Sequence, residues 1–148
     1  MAILNALPSE AGAVVAAINP DVLTATAFLS GAVDMSKYDR IMGVVMVGTM
    51  VSTSTVNAEL QEATTSGGSY SAITGKAITQ LTEAGGDSDK QAILNLRSDE
   101  MTVGHRFVKL WIDVNTANTD GAGIVFGFQP THGPGTDNDV SSIEEILS

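Results

Sequence analysis

The chain has 148 residues, of which 43% are hydrophobic and 16% charged, a composition that supports one domain with a buried core and excludes a disordered protein. Its formal net charge of −10 opposes contact with a phosphate backbone, so we expect no nucleic-acid partner. The chain has no cysteine, which excludes disulfides and thiolate metal sites.

Neither a targeting segment nor a membrane span is indicated. Residues 1–20 contain no Lys or Arg ahead of their apolar residues, unlike a secretory signal. The longest apolar run, 41–51, is about half the length needed to cross a bilayer. We therefore expect a soluble protein without a membrane partner.

The N-terminal segment, 1–23, is rich in alanine and has apolar residues at roughly helical spacing. Pro8 is tolerated in a first helical turn, and we expect Pro20 to end the element before it. We call this segment the N-terminal arm. Two interpretations are equally open: it lies against an apolar partner, or it is the first helix or strand of the same core.

The central segment, 24–129, predicts short strands rich in Val, Ile and Thr between turns rich in Gly, Ser and Asp. The predicted strands or strand pairs are 24–35, 40–51, 56–64, 71–81, 90–98, 106–115 and 121–129. About eight short strands predict an all-β fold, a β-sandwich with a jelly-roll-like arrangement, because a double sheet protects its edges.

The clearest strand is 106–115. One of its faces is apolar and consists of Val108, Leu110, Ile112 and Val114. The opposite face carries Phe107 and Trp111 beside Lys109 and Asp113. Two large aromatic side chains on a nominally polar face need cover, either from the same subunit or from another, and we favour another subunit.

The last segment, 130–148, begins as a turn-rich linker. Ser141 or Ser142 can cap a short helix, with Glu144 or Glu145 three residues further on. This predicted helical tail would present an apolar patch formed by Ile143, Ile146 and Leu147. The patch can dock onto a neighbour or onto the chain's own body, and the sequence favours neither.

Residues that could carry chemistry are few and scattered. His105 and His132 lie 27 positions apart, without a metal-ligand spacing. The segments 87–89 and 137–139 resemble fragments of a calcium loop, but neither continues into the full pattern. We therefore predict no catalytic residue, no cofactor and no dedicated metal site, and we expect the protein not to be an enzyme.

Four segments resemble a known family of proteins: 34–42 (DMSKYDRIM), 76–81 (KAITQL), 90–97 (KQAILNLR) and 106–110 (RFVKL). They are similar to head-associated virion proteins of tailed bacteriophages, over roughly residues 30 to 115. The resemblance implies a capsid cement or decoration protein on the outer surface of the virion, assembled in the host cytoplasm. The partners would be the major capsid protein and further copies of the chain, in a homotrimer at threefold positions or a homodimer at twofold ones, and the sequence does not choose between them.

Surfaces for such partners can be named from the apolar pattern. The candidate interface residues are Leu4, Leu7, Val14, Val15, Phe107, Trp111, Ile143, Ile146 and Leu147. An alternative function is a carbohydrate- or receptor-binding β-sandwich of a phage head or tail fibre. In that case Trp111 with Asp113, or Tyr70 near a loop, would form the aromatic platform.

Overall fold

A computed structural model describes residues 6–135 and 139–147 of the chain. These residues form a one-turn helix, α1 (Pro8–Ala11), and ten strands. The strands are β1 (Gly12–Leu23), β2 (Ala27–Leu29), β3 (Val33–Asp34), β4 (Tyr38–Met50), β5 (Thr55–Ala63), β6 (Ser71–Ala77), β7 (Leu81–Thr82), β8 (Gln91–Arg97), β9 (Phe107–Asn115) and β10 (Thr119–Pro130).

The strands form two antiparallel sheets. Sheet A has the order β1-β10-β4-β8, and sheet B has the order β2-β9-β5-β6, with β3 paired to β9 and β7 to β5. The pairing is nested, since β1 pairs with β10, β2 and β3 with β9, β4 with β8, and β5 with β6. The predicted all-β sandwich is confirmed at this level.

The core lies between the two sheets. A Cβ added to Gly43 of β4 would lie 3.6 Å from side-chain atoms of both Leu60 and Leu110 in sheet B, so the two inner faces touch. Strand β9 shows the strict alternation that places every second side chain in this core. Its inner residues Val108, Leu110, Ile112 and Val114 are fully buried, as their pattern predicted.

Part of the N-terminal arm, Gly12–Leu23, forms a strand of sheet A. Of the two interpretations of 1–23, a strand of the core is what the structure shows for Gly12–Leu23, which pairs with β10 along the edge of sheet A. Register shifts between Val14 and Ala16 and between Ile18 and Asp21 break the alternation of this strand. The strand also continues through Pro20, where the sequence predicted an end, because a proline at a bulge of an edge strand is tolerated. Such bulges insert extra residues, which is why its apolar spacing resembled that of a helix.

The predicted C-terminal helix is absent from the described part of the tail. Ser141–Ser142 form a turn, and the residues after them up to 147 are not helical. The tail instead bonds to the edge of β1, where the Val140 N–H donates to the Val14 carbonyl (2.8 Å) and Asp139 Oδ1 accepts from the Val14 N–H (2.7 Å). The described tail therefore docks onto its own chain.

Among the described residues, no helix has the length and apolar character required to cross a membrane. Within the same ranges, no group of three or more His, Asp or Glu side chains is arranged to hold a metal ion.

Candidate functional site

The outer surface of sheet A, which we call face A, is almost entirely apolar. Its outward side chains across the middle of the four strands are Val14, Ala17, Met42, Val44, Met46, Ile93, Ala122, Ile124, Phe126 and Phe128. Gln91 and Asn95 are the polar members of this area, and none of its described residues is charged. An antiparallel sheet with one solvated face normally alternates apolar and polar residues, so this face departs from the ordinary pattern.

Neighbouring strands bring the apolar residues of face A into rows. Val44 of β4 stands between Ile124 of β10 and Ile93 of β8. In the next rows Met42 pairs with Phe126, and Met46 pairs with Ala122. The patch is therefore continuous across the sheet rather than a scatter of single residues, and a continuous exposed apolar patch marks an interaction surface.

The side chains of face A are accessible in the single chain. Met46 is 50% exposed and Ile93 is 60% exposed. Residues 40–51 are apolar on both faces, a pattern typical of a central strand buried on each side, but only the inner side of β4 meets sheet B. Face A is thus the surface that sequence reasoning missed, and the apolar residues on both sides of β4 were the signal for it.

Arginines lie at one end of face A and aspartates at the other. At one end Arg40 and Arg97 stand directly opposite each other on β4 and β8. At the other end Asp89 donates its N–H to the Gly48 carbonyl, and the Asp120 side chain packs against Gly48. A cross-strand pair of like charges such as Arg40 and Arg97 is destabilising unless other groups neutralise it.

The tail covers the arginine end of face A only in part. It leaves a groove of about 450 Å³ between α1, the tail and sheet A. The apolar lining of this terminal groove includes Pro8, Val14, Met42, Phe126, Phe128, Ile143 and Ile146. Burial raises the pKa of the nearby Tyr38 to about 12, and the Asp139 carboxylate adds to the rise.

The terminal candidate residues have different surroundings. Val14 and the tail residues Ile143 and Ile146 line the terminal groove, whereas Val15 sits at a bulge and packs against the core. Leu7 is exposed beside α1, and Leu147 is 85% exposed. Leu4 lies outside the described residues.

The outer surface of sheet B, which we call face B, mixes aromatic and polar side chains. Trp111 and Phe107 both point outward from β9 and are half-buried. Trp111 stands between Leu29 of β2, which is 48% exposed, and Glu59 of β5. The structure thus brings the two candidate aromatics to one face, away from the terminal groove.

Hydrogen bonds and cation–π contacts fix the polar residues around Trp111. Gln61 donates to Glu59 (2.8 Å), and the Lys109 ammonium lies 4.6 Å from the centre of the Tyr70 ring. Burial raises the pKa of Tyr70 above its ordinary value. Face B therefore presents an ordered polar rim around one large aromatic side chain.

The residues with catalytic or metal-binding potential have structural partners. His105 Nδ1 lies 3.1 Å from Glu62, and Asp87 accepts a hydrogen bond from the Thr82 N–H (2.9 Å) within its own loop. Asp89 has a left-handed backbone (φ 60°), as expected of a turn residue. His132 is exposed in the chain segment after β10.

No protein-family model matches the sequence, and no curated protein matches it significantly. Among solved structures, the chain is similar to one in the structure of infectious bursal disease virus, Gx strain, with a TM-score of 0.43 and 13% identity. The alignment covers 84% of this chain and 33% of that one, so this chain spans about a third of its length. A likeness of this size supports no conclusion about function.

Proposed function

We propose that the protein is a virion structural protein, a capsid decoration protein that binds the outer surface of a shell and bridges neighbouring major capsid subunits. The observation that carries the proposal is that large apolar side chains remain on both outer faces after the sandwich has closed its core. Trp111 and Leu29 lie on face B, and Met46 and Ile93 on face A. Surface of this kind is covered by other protein chains.

Face B has the composition of an interface that forms between separately folded proteins. Trp111 supplies the large, rigid side chain that dominates binding energy in such contacts. Glu59, Gln61, Lys109 and Asp113 surround it as a polar rim. We therefore assign the contact with the shell protein to face B and take Trp111 as its anchor.

The strand arrangement supports a jelly-roll body. With β2 and β3 taken as one interrupted strand and β7 as an addition, the nested pairs form eight strands in two sheets of four. That arrangement is the one expected of a jelly roll, a fold of viral capsid and lectin domains. The sequence resemblance to head-associated phage proteins supports the same location on the exterior of the virion.

The physical basis of cementing is additive. Each copy that contacts two shell subunits adds buried area across their seam, and an interface of about 1,600 Å² suffices for specific binding. Repetition over the shell raises the effective concentration of every contact. The proposed role requires neither a catalytic residue nor a cofactor, so we propose that the protein is not an enzyme.

Co-sedimentation with empty shells of the virus that encodes the chain tests this function. The wild-type protein should pellet with the shells, and Trp111→Ala should weaken binding by about 30-fold, the effect of losing an interface anchor. Val103→Ala is the matched control, because Val103 is 100% exposed in the loop between β8 and β9 and belongs to neither sheet. Failure of the wild-type protein to pellet at any concentration contradicts the proposal.

Truncations separate the termini from face B. Deleting 141–148 or 1–7 removes terminal apolar residues and leaves β1 intact, whereas a deletion to residue 19 would remove most of that strand. Shell binding retained by both truncations and lost with Trp111→Ala supports attachment through face B. Loss of binding in a truncation with Trp111→Ala unaffected assigns the attachment to the termini instead.

A second function, binding of a carbohydrate receptor, is favoured by the groups beside Trp111. An aromatic ring flanked by the Glu59 carboxylate and the Gln61 amide is the combination that stacks on a sugar and bonds its hydroxyls. A glycan array discriminates between the two functions. Specific glycan binding that disappears in Trp111→Ala, without co-sedimentation with shells, supports the receptor function.

A further inference from the structure

We propose that face A is a homodimer interface, in which two copies of this chain stack their A sheets face to face about a twofold axis. The proposal is independent of shell binding, which we assign to face B. Three features of face A point to a second copy: its apolar centre, the arginines and aspartates at its opposite ends, and the shape of the tail and the groove at those ends.

The apolar centre has the composition of a permanent interface. The fully buried centres of homodimer interfaces are more apolar than other protein surfaces and are depleted in charged residues. The row of Val44, Ile93 and Ile124 meets this description and lies in the middle of face A. Face B, with its mixture of Trp111 and charged residues, does not.

The charges make face A complementary to itself. In the proposed dimer the twofold axis lies between the two A sheets, perpendicular to the strands and parallel to the row that contains Val44. The strands of the second copy therefore run in the opposite direction, and each strand faces its counterpart. Arg97, four residues after Ile93, then lies opposite Asp89 of the second copy, four residues before Ile93. Arg40 likewise lies opposite Gly48, where Asp120 projects.

These contacts add carboxylate partners to two neighbouring arginines. Among the described residues, Arg40 and Arg97 stand side by side and pair with exposed neighbours, Asp39 and Asp99. Asp89 and Asp120 make no ion pair with any described residue. Each arginine gains a carboxylate from the other copy, which offsets part of the repulsion between two chains of net charge −10.

The tail and the groove fit the same symmetry. The tail stands above β1 and β10 at the arginine end of face A. At the opposite end of these two strands lies an open groove of about 200 Å³, lined by Ala17, Pro20, Met46, Ala122 and Ile124 among others. The twofold axis brings the tail of each copy opposite the groove of the other. The tail that projects from one copy therefore faces the hollow in its partner.

The available area is sufficient. From Arg40 to Gly48 face A extends about 27 Å along the strands, and its four strands extend about 19 Å across. Two such faces bury about 1,000 Å², which reaches the lower bound of specific interfaces before the tails are counted. Aligned sheets of this kind pack about 10 Å apart.

Sedimentation velocity of the purified chain, in the absence of shells, tests the proposal. The wild-type protein should be a dimer, and Ile93→Lys should raise the dimer dissociation constant at least about tenfold, because the two lysines face each other at the axis. Ile93 lies on the outer side of an edge strand, so the variant should fold, and circular dichroism checks this. Leu29→Lys on face B is the matched control and should leave the dimer intact.

Charge reversal supplies a second, independent test. Arg97→Glu should weaken the dimer, and Arg97→Glu combined with Asp89→Lys should restore it, since the pair re-forms with exchanged signs. A wild-type monomer at all concentrations, an oligomer insensitive to Ile93→Lys, or a dimer dissociated by Leu29→Lys would overturn the proposal. Shell binding is measured separately, so failure of the dimer and failure of the decoration function give different results.

Discussion

The buried carboxylate of Glu62 lies 3.1 Å from Nδ1 of His105, a contact that lacks hydrogen-bond geometry. The same carboxylate accepts a hydrogen bond from the Thr102 N–H (3.0 Å). Glu62 lies on β5, whereas Thr102 and His105 belong to the connection from β8 in sheet A to β9 in sheet B. One side chain therefore fixes how the chain crosses from one sheet to the other.

Replacing Glu62 should destabilise the fold. Glu62→Ala leaves the Thr102 N–H without its acceptor and removes the contact with the His105 ring, and we expect it to lower the free energy of unfolding by about 1 to 3 kcal/mol. Glu59→Ala, on the outer face of the same strand, should cost less than about 1 kcal/mol. Denaturant unfolding of both variants measures the difference, and equal losses would contradict the role assigned to Glu62.

Gly127 should tolerate no side chain. A Cβ at this position of β10 would lie 2.5 Å from Cδ1 of Tyr38, whose ring is buried in the core. We expect Gly127→Ala to lower the free energy of unfolding by about 1 to 3 kcal/mol, because a packed core cannot yield without strain.

Gly31→Ala is the matched control for Gly127→Ala. Nothing lies within 4 Å of a Cβ at Gly31, and its φ is not in the left-handed region. The substitution should stabilise the protein by about 0.4 to 1 kcal/mol, by restricting the unfolded chain. The melting temperatures of the two variants should shift in opposite directions. Shifts in the same direction would contradict the expected clash between Tyr38 and a side chain at Gly127.

The ion pair of Asp34 and Arg106 should make stability depend on pH in the acid range. Arg106 donates to both carboxylate oxygens (2.7 and 2.6 Å) and holds the pKa of Asp34 well below its ordinary value of 3.8. A lowered folded-state pKa stabilises the fold above the unfolded-state pKa, and this stabilisation is lost as the pH falls through the folded-state pKa.

Comparison of wild type with Asp34→Asn across pH measures this effect. The difference in melting temperature should be constant above about pH 5 and should shrink progressively below pH 4. In a chain that already carries Arg106→Gln, adding Asp34→Asn should change the pH dependence of the melting temperature much less. A difference in melting temperature that grows as the pH falls would contradict the stabilising role of the ion pair.

Asp139 should protect one specific amide. Its carboxylate accepts the Val14 N–H at the edge of β1, so Asp139→Ala removes the acceptor and loosens the tail. We expect hydrogen exchange at the Val14 amide to accelerate at least about tenfold, because the amide loses its hydrogen bond to a charged group. The amide of Val45 in the centre of sheet A should be unaffected, and unchanged exchange at Val14 would show that the tail does not depend on Asp139.

The strand content was predictable wherever burial alternates without interruption. In β9 every second residue is apolar, so the inner face from Val108 to Val114 followed from the sequence alone. Strand β1 was not predictable in the same way. Its bulges at Val14 and Ile18 depend on pairing with β10, which local sequence does not encode.

The candidate surface was predicted only in part. The spacing of Phe107 and Trp111 predicted that they share one face of a strand, and in the structure both lie on face B. Face A could not be assembled from the sequence, because its central row joins Val44, Ile93 and Ile124 from three strands far apart in the chain. Ser141 and Glu144 carried a helix-capping pattern, yet bonds between the tail and the β1 edge took its place.

By itself, the sequence determined the all-β character, the negative charge and the inner faces of the regular strands, because these depend on composition and on a period of two. The tertiary structure alone decided which strands are neighbours, where the tail lies and which outward residues join into a patch. Those features arise from contacts between residues distant in the chain, and the free energy of such contacts depends on the partner as much as on the residue.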